Sequence, residues 1–275
     1  MTARWFLLLV CLLPAVPGLA GERPQRIASI NLCTDQLLML LADSGQIASI
    51  TDLSLEPNSS YLANEAVKYR VNYRRPEEIL AQQPDLIIAG EYSPHGLLEL
   101  FEKLGYRVER LPISSNIETI RANIRSMAHW VGYPERGERL IRQMDERIAR
   151  VAAKRPGVPP RAAFYQPNGY TSGSNTLQHA ALLAAGWRNL PAELGMQGYG
   201  DVSLEQLLLL KPDQLFTSSY APGTDSLAQK ELRHPVLQRL TRGRPIINID
   251  YKYWICGGPM IAEAIEKLHR NLPDE

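Results

Sequence analysis

Outside the first twenty residues, the chemistry-bearing side chains of this 275-residue chain are two cysteines, five histidines and a group of tyrosines. Cys33 stands just before an expected helix, where the helix N-terminus favours thiolate. With a histidine beside it, such a thiolate could act as a nucleophile. No nucleophile elbow, phosphate loop or two-histidine zinc motif accompanies it, and Gly257-Gly258 is too short for a phosphate-binding fingerprint. Cys33 and Cys256 each follow an expected strand end, in opposite halves of the chain. In an oxidising compartment the pair is a disulfide candidate, provided the Cα atoms come within about 4.4–6.8 Å. Two free thiols on a soft metal, or a buried inert pair, satisfy the same layout. Capture of a bare metal ion needs several His, Asp or Glu side chains to converge. Only His95 falls on a suitable loop; His129, His179 and His269 fall within expected helices, and His234 precedes Pro235 at a helix entry. No resident metal or cofactor is therefore expected, although His95 or a tyrosine could ligate the metal of a bound chelate.

Binding chemistry reads better than catalysis. In open α/β sheets, ligands sit beyond the carboxyl ends of the strands. The ends in the first half of the chain supply Asn31, Cys33, Asp52, Glu91, Tyr92 and His95. Those in the second half supply Gln166, Asn168, Tyr170, Ser219, Tyr220, Tyr251 and Trp254. Aromatic rings are abundant in this set. They cover a large flat ligand at little entropic cost and keep a polar handle for its edge.

The elements that must carry these residues are written in a repeat. Glu77–Ile88 (EEILAQQPDLII) aligns with Glu205–Phe216 (EQLLLLKPDQLF), pairing Glu77 with Glu205, Pro84 with Pro212 and Asp85 with Asp213. Each copy reads as a short amphipathic helix, a Pro-Asp break and an apolar strand, because the residue before proline is pushed out of the α region. Around the copies, strand-like and helix-like stretches alternate with short connections, the pattern of a mostly parallel sheet with helices on both faces. The expected fold is therefore α/β, with two similar lobes, each a mostly parallel sheet flanked by helices, and a ligand cleft between them. Residues 21–134 form the first lobe and 155–275 the second, which opens after Arg155-Pro156-Gly157-Val158-Pro159-Pro160. Residues 135–154 form one long helix linking the two, with Leu140, Ile141, Met144, Ile148 and Val151 at helical spacing.

Residues 1–20 stand apart. Arg4, the apolar Trp5–Val16 and the small residues Gly18-Leu19-Ala20 make a secretory signal peptide. The run is too short for a bilayer, which needs about 20 residues. The mature chain is expected to begin near Gly21 and to work as a monomer in the bacterial periplasm. Removing the signal takes away Arg4 and no acid, leaving 29 basic against 29 acidic residues. A neutral chain offers no electrostatic case for nucleic acid.

Signal, duplicated helix–Pro-Asp–strand unit and linking helix together resemble the class III periplasmic binding proteins of ABC importers. The likeness is carried by Arg26-Ile27-Ala28-Ser29-Ile30 with Thr34-Asp35, by 76–80 through 84–88, by Thr171-Ser172-Gly173, and by 203–207 through Pro212-Asp213. The resemblance implies a carrier and not an enzyme, capturing an iron–siderophore or cobalamin-type chelate, with haem or a bare metal ion as the alternative. It also implies that Glu77 and Glu205 dock the loaded protein onto a permease dimer in the inner membrane.

Overall fold

A computed structural model describes residues 23–219, 232, 235–240 and 243–273. The first lobe alternates β1 (Ile27–Ser29), α1 (Leu32–Leu41), β2 (Ile47–Thr51), α2 (Ala63–Ala66), β3 (Val71–Asn72), α3 (Pro76–Leu80), β4 (Leu86–Gly90), α4 (His95–Lys103), β5 (Val108–Leu111) and α5 (Ile117–Trp130). Its five strands pair in the order β3-β2-β1-β4-β5, all parallel. After α6 (Pro134–Ala152), the second lobe contains β6 (Arg161–Phe164), β7 (Tyr170–Ser172), α7 (Leu177–Ala185), β8 (Arg188–Asn189), α8 (Leu190–Glu193), β9 (Tyr199–Asp201), α9 (Leu204–Leu210) and β10 (Gln214–Thr217). It closes with α10 (Pro235–Leu240), β11 (Ile247–Asn248) and α11 (Ile261–His269). Here β11-β10-β6-β8 form a parallel sheet, and β7 and β9 make a separate antiparallel ribbon.

The repeat has a physical reason. Both short helices end in a left-handed residue directly before the proline, Gln83 and Lys211, each with φ 49°. The aspartate that follows clamps the start of the neighbouring strand. The Asp85 carboxylate accepts the amides of Gln25 (2.6 Å) and Arg26 (3.0 Å), and Asp213 accepts that of Arg161 (2.9 Å). The two aspartates thus set β4 against β1 and β10 against β6 in the same way. Capping supports the rest: Ser203 and Gln206 form a capping box on α9, Thr176 caps α7, and Gly186 (φ 96°) ends it in the left-handed conformation open to glycine. Helix α1 begins two residues before the expected Thr34, because the Asn31 side chain accepts the Cys33 amide at 2.9 Å. Helix α6 spans 134–152 instead of 135–154, since Pro134 is already at its first position.

Each central strand is buried on both faces, as a parallel sheet under helices requires. The outer faces form separate clusters, with Ala28, Ile87 and Phe101 in one lobe and Ala163, Leu207 and Leu215 in the other. The inner faces merge. Ile27, Leu37 and Ile88 of the first lobe share one continuous core with Phe164, Phe216 and Ile265 of the second, through Ile141, Met144 and Val151 of α6. Polar ties reinforce this seam. The hydroxyls of Tyr61 (2.8 Å) and Tyr253 (2.6 Å) both donate to the Glu263 carboxylate on α11. Arg147 of α6 makes a two-point ion pair with Glu266, at 2.9 and 2.7 Å. No helix among the described residues is long and apolar enough to cross a membrane.

Candidate functional site

Because the strands within each sheet run parallel, their carboxyl ends present one set of loops per lobe. Asn31 and Cys33 follow β1, Asp52 follows β2, and Glu91, Tyr92 and His95 follow β4. Gln166 and Asn168 follow β6, with Tyr170 opening β7; Ser219 follows β10 and Tyr251 follows β11. Tyr220 lies outside the described residues.

Cys33 and Cys256 are joined in a disulfide, with Cα atoms 4.7 Å apart. The bond ties the first turn of α1 to the segment before α11, across the seam between lobes. Neither sulfur is then a free nucleophile or thiolate ligand, which removes the thiol-enzyme and soft-metal alternatives for the oxidised chain. Nearby, Gly257 (φ 53°) sits so close to the first lobe that an added Cβ would meet the Ser114 Cβ at 2.5 Å.

Several of the strand-end residues serve the scaffold. Asn31 caps α1, and its side chain fills the space over Gly90, where a Cβ would come within 2.6 Å of the Asn31 Cγ. Asp52 is ion-paired with Arg74. Gln166 donates its amide to the Tyr170 carbonyl (2.9 Å), and the Ser219 amide is held by the Asn248 side chain (3.1 Å). Beneath β2, Asp35 is fully buried on α1 and accepts the Thr51 amide (3.0 Å) and the Thr51 and Ser54 hydroxyls at Oδ2. Burial outweighs these bonds and pushes its carboxyl up to about 6. That network joins α1 to the loop that carries Asp52.

Trp254 requires a correction. It is 4% exposed, its ring meets Phe164 edge-on at 5.4 Å, and its indole N–H points at the Ile249 carbonyl. The helical turn 251–253 carries it inward past the strand end, so it belongs to the core and not to the cleft lining.

The tyrosines come together. Tyr170 and Tyr199 stand on diagonal positions of one face of the β7–β9 ribbon, their rings stacked at 5.7 Å and 7°. The Tyr199 hydroxyl donates to Gln178 Oε1 at 3.2 Å. Its phenol is pushed up by burial, then by the neighbouring phenols of Tyr170, Tyr251 and, from the first lobe, Tyr92. Burial, Tyr251 and Asp201 raise Tyr170 likewise. Tyr92 itself is 85% exposed, and His95 is exposed at the start of α4. Sequence reasoning named Tyr92, Tyr170 and Tyr251 and did not name Tyr199, which follows no strand of the main sheet. Among the described residues, no three His, Cys, Asp or Glu side chains converge as a metal site. A cavity of about 550 Å³ lined by Ser44, Ile47, Lys68 and Arg70 opens at the amino ends of β2 and β3, away from these loops.

Glu77 and Glu205 occupy the second position of α3 and of α9, and both are exposed. The Glu205 carboxyl is held below its usual range by its own amide and by the Ser203 side chain.

Residues 27–244 match the family described as periplasmic binding protein. The chain belongs to this family. Among similar proteins, the "Cobalamin-binding protein" of Halobacterium salinarum is 22% identical over 216 residues, which cover 75% of this periplasmic binding protein and 57% of the relative. The chain thus spans little more than half the length of that relative. The "Vitamin B12-binding protein" of Vibrio parahaemolyticus is 25% identical, with 80% of each chain covered. The solved periplasmic heme-binding protein RhuT from Roseiflexus sp. RS-1, in apo form, superposes with a TM-score of 0.72 at 25% identity, covering 90% of this periplasmic binding protein and 97% of RhuT. Two-lobed class III substrate-binding proteins of ABC importers are therefore its kin.

Proposed function

We propose that this chain is the periplasmic substrate-binding component of an ABC importer, capturing a large metal chelate of corrinoid, haem or iron–siderophore type and carrying it to an inner-membrane permease. The observation that carries the reading is the stacked Tyr170–Tyr199 pair on the β7–β9 ribbon, with the phenols of Tyr251 and, from the first lobe, Tyr92 close enough to raise Tyr199. Such rings offer broad flat contact area. Among the described residues no three His, Cys, Asp or Glu side chains converge to hold a bare ion, which supports a metal carried inside its own chelate. The relatives named for cobalamin and vitamin B12, and the neighbour named for heme, support this class of cargo. The matched, exposed glutamates support docking: two carboxylates at equivalent places in equivalent lobes suit a two-fold partner bearing cations, and Glu77 and Glu205 take that role.

The purified mature chain is titrated with cyanocobalamin, haemin and a ferric hydroxamate siderophore, followed by tryptophan fluorescence and by absorbance of the chelate. Saturable one-to-one binding of one of them is expected at micromolar or lower concentration. Failure to bind any of the three refutes the assignment.

A further inference from the structure

The chain is electrically balanced as a whole, with 30 basic and 29 acidic residues, but one pocket on its surface is not. Helix α11 begins near the disulfide at the cleft end of the molecule. It ends at His269, whose Nδ1 donates to the Ala185 carbonyl at 3.0 Å, close to the amino end of β8. There it lies against the last turns of α6. A pocket of about 220 Å³ opens between the two helices, lined by Arg147, Arg150 and Lys154 from one side and by Glu266, His269 and Arg270 from the other. Glu266 is the one acid among the described residues of this lining, and both its oxygens accept from Arg147, at 2.9 and 2.7 Å. Those bonds, with the charges of Arg150 and Arg270 behind them, hold its carboxyl below the usual range although burial pulls upward. Arg150, Lys154 and Arg270 are exposed and have no ion pair among the described residues.

Four cations against one carboxylate leave three positive charges in excess. Basic residues at a helix carboxyl end ordinarily answer the helix dipole, and that accounts for part of them. Each end carries about half a negative charge, so two ends offset about one and about two positive charges remain. Arg147 and Arg150 are three apart in sequence and Arg150 and Lys154 four apart, spacings that set like charges side by side and weaken a helix. An anion between them would relieve that repulsion. Arg147 gives Nε and one terminal nitrogen to Glu266, which leaves the rest of its N–H donors for another acceptor. We propose that this pocket binds a phosphate-type oxyanion, as free inorganic phosphate or as the phosphate of a lipid headgroup, held by Arg150, Lys154 and Arg270 with Arg147 as a fourth donor. A phosphate monoester carries about −1.5 to −2 charges at pH 7, which matches the excess, and guanidinium forks suit its oxygens. The volume lies below the roughly 300–1,000 Å³ of pockets that enclose drug-sized ligands. The site is therefore separate from the cargo site, and it stands or falls independently of the cargo class.

Wild type is compared with a triple variant, Arg150→Ala with Lys154→Ala and Arg270→Ala, near neutral pH and at constant ionic strength. A control, Arg139→Ala with Arg142→Ala, removes two exposed arginines from α6 upstream of the pocket. Calorimetric titration with inorganic phosphate reads the free anion. Co-sedimentation with phosphatidylglycerol vesicles, against phosphatidylcholine vesicles, reads the headgroup. Wild type should bind phosphate saturably and one-to-one, or bind the phosphatidylglycerol vesicles, with affinity reduced about tenfold or more in the triple variant and unchanged in the control. Where phosphate binds, it should also raise the unfolding temperature of wild type relative to chloride and leave that of the triple variant unmoved. Binding of phosphate assigns the site to the free anion, and binding of the vesicles alone assigns it to the headgroup. Wild type that binds neither probe overturns the site, as does undiminished binding by the folded triple variant. An equal loss in the control overturns it too, since net charge would then explain the binding. The replaced side chains are exposed and the Arg147–Glu266 pair is untouched; should the triple variant still fail to fold, Arg150→Gln with Arg270→Gln carries the same expectation.

Discussion

Replacing Asp35 by asparagine should abolish the pH dependence that this one carboxyl imposes on stability. Asp35 is completely buried, and its carboxyl titrates at about 6 in the folded chain against an ordinary 3.8. Between those two values the folded chain keeps a proton that the unfolded chain has released. Unfolding there releases a proton, so raising the pH favours the unfolded state. A difference of about two pKa units corresponds to about 3 kcal/mol at about 1.36 kcal/mol per unit. The contribution is fully present below pH 4, falls as pH rises to about 6, and is absent above. Asparagine has the same shape, can still accept from Thr51 and Ser54 through its oxygen, and does not titrate. Urea unfolding by circular dichroism, run from pH 4 to 7 on both proteins at matched m-values, isolates the effect, since all other groups cancel in the difference. The variant should gain on wild type by about 3 kcal/mol across that range. A flat difference refutes the reasoning. A difference of opposite sign would mean that the hydrogen bonds from Thr51 and Ser54, and not burial, set the carboxyl.

Two further outcomes test the seam and the docking face. Cys33→Ser with Cys256→Ser reopens a loop whose ends are 223 residues apart in sequence; loop entropy gives up to about 5 kcal/mol of lost stability. Denaturant titration of this variant, beside wild type with and without a dithiol, measures it, and a loss under about 1 kcal/mol would show that the native seam hardly needs the bond. Reversing Glu77 and Glu205 together to lysine should abolish uptake of the cargo in cells while leaving its affinity for the purified protein unchanged. Normal uptake by the double variant would remove the docking role.

Much of the scaffold was legible because its punctuation is chemical. Pro84 and Pro212 stop two helices, Asp85 and Asp213 clamp two strands, and Ser203 with Gln206 marks a helix start, so the duplicated unit could be read without coordinates. The β7–β9 ribbon could not. Its strands are three residues long and lie among Gly169, Gly173, Gly198 and Gly200. No alternation is long enough to reveal such strands, and with the ribbon went Tyr199. Trp254 failed for a different reason. Counting residues past a strand end says which loop a side chain is on, but a single helical turn at 251–253 decides whether it faces solvent or Phe164. The pairing of Cys33 with Cys256 stayed open because strand-end positions fix the layout of two cysteines and not the distance between them.

The continuous inner core limits how such a cleft can work. Swinging the lobes apart would disturb the packing of Ile141, Met144 and Val151 of α6, at most 5% exposed, through which the two halves of that core join. At about 1.5–3 kcal/mol for each such side chain, exposing these three costs on the order of 4–9 kcal/mol. A micromolar ligand supplies about 8 kcal/mol in total, and the disulfide and the Tyr61–Glu263 hydrogen bond oppose the same motion. A wide hinge would consume most or all of a binding energy of that size. Movement is left to the exposed groups at the rim, with Tyr92 foremost among them, while the floor and the tyrosine ribbon stay in place. Selectivity in a cleft built this way would come from the fit of a rigid cargo to rigid walls.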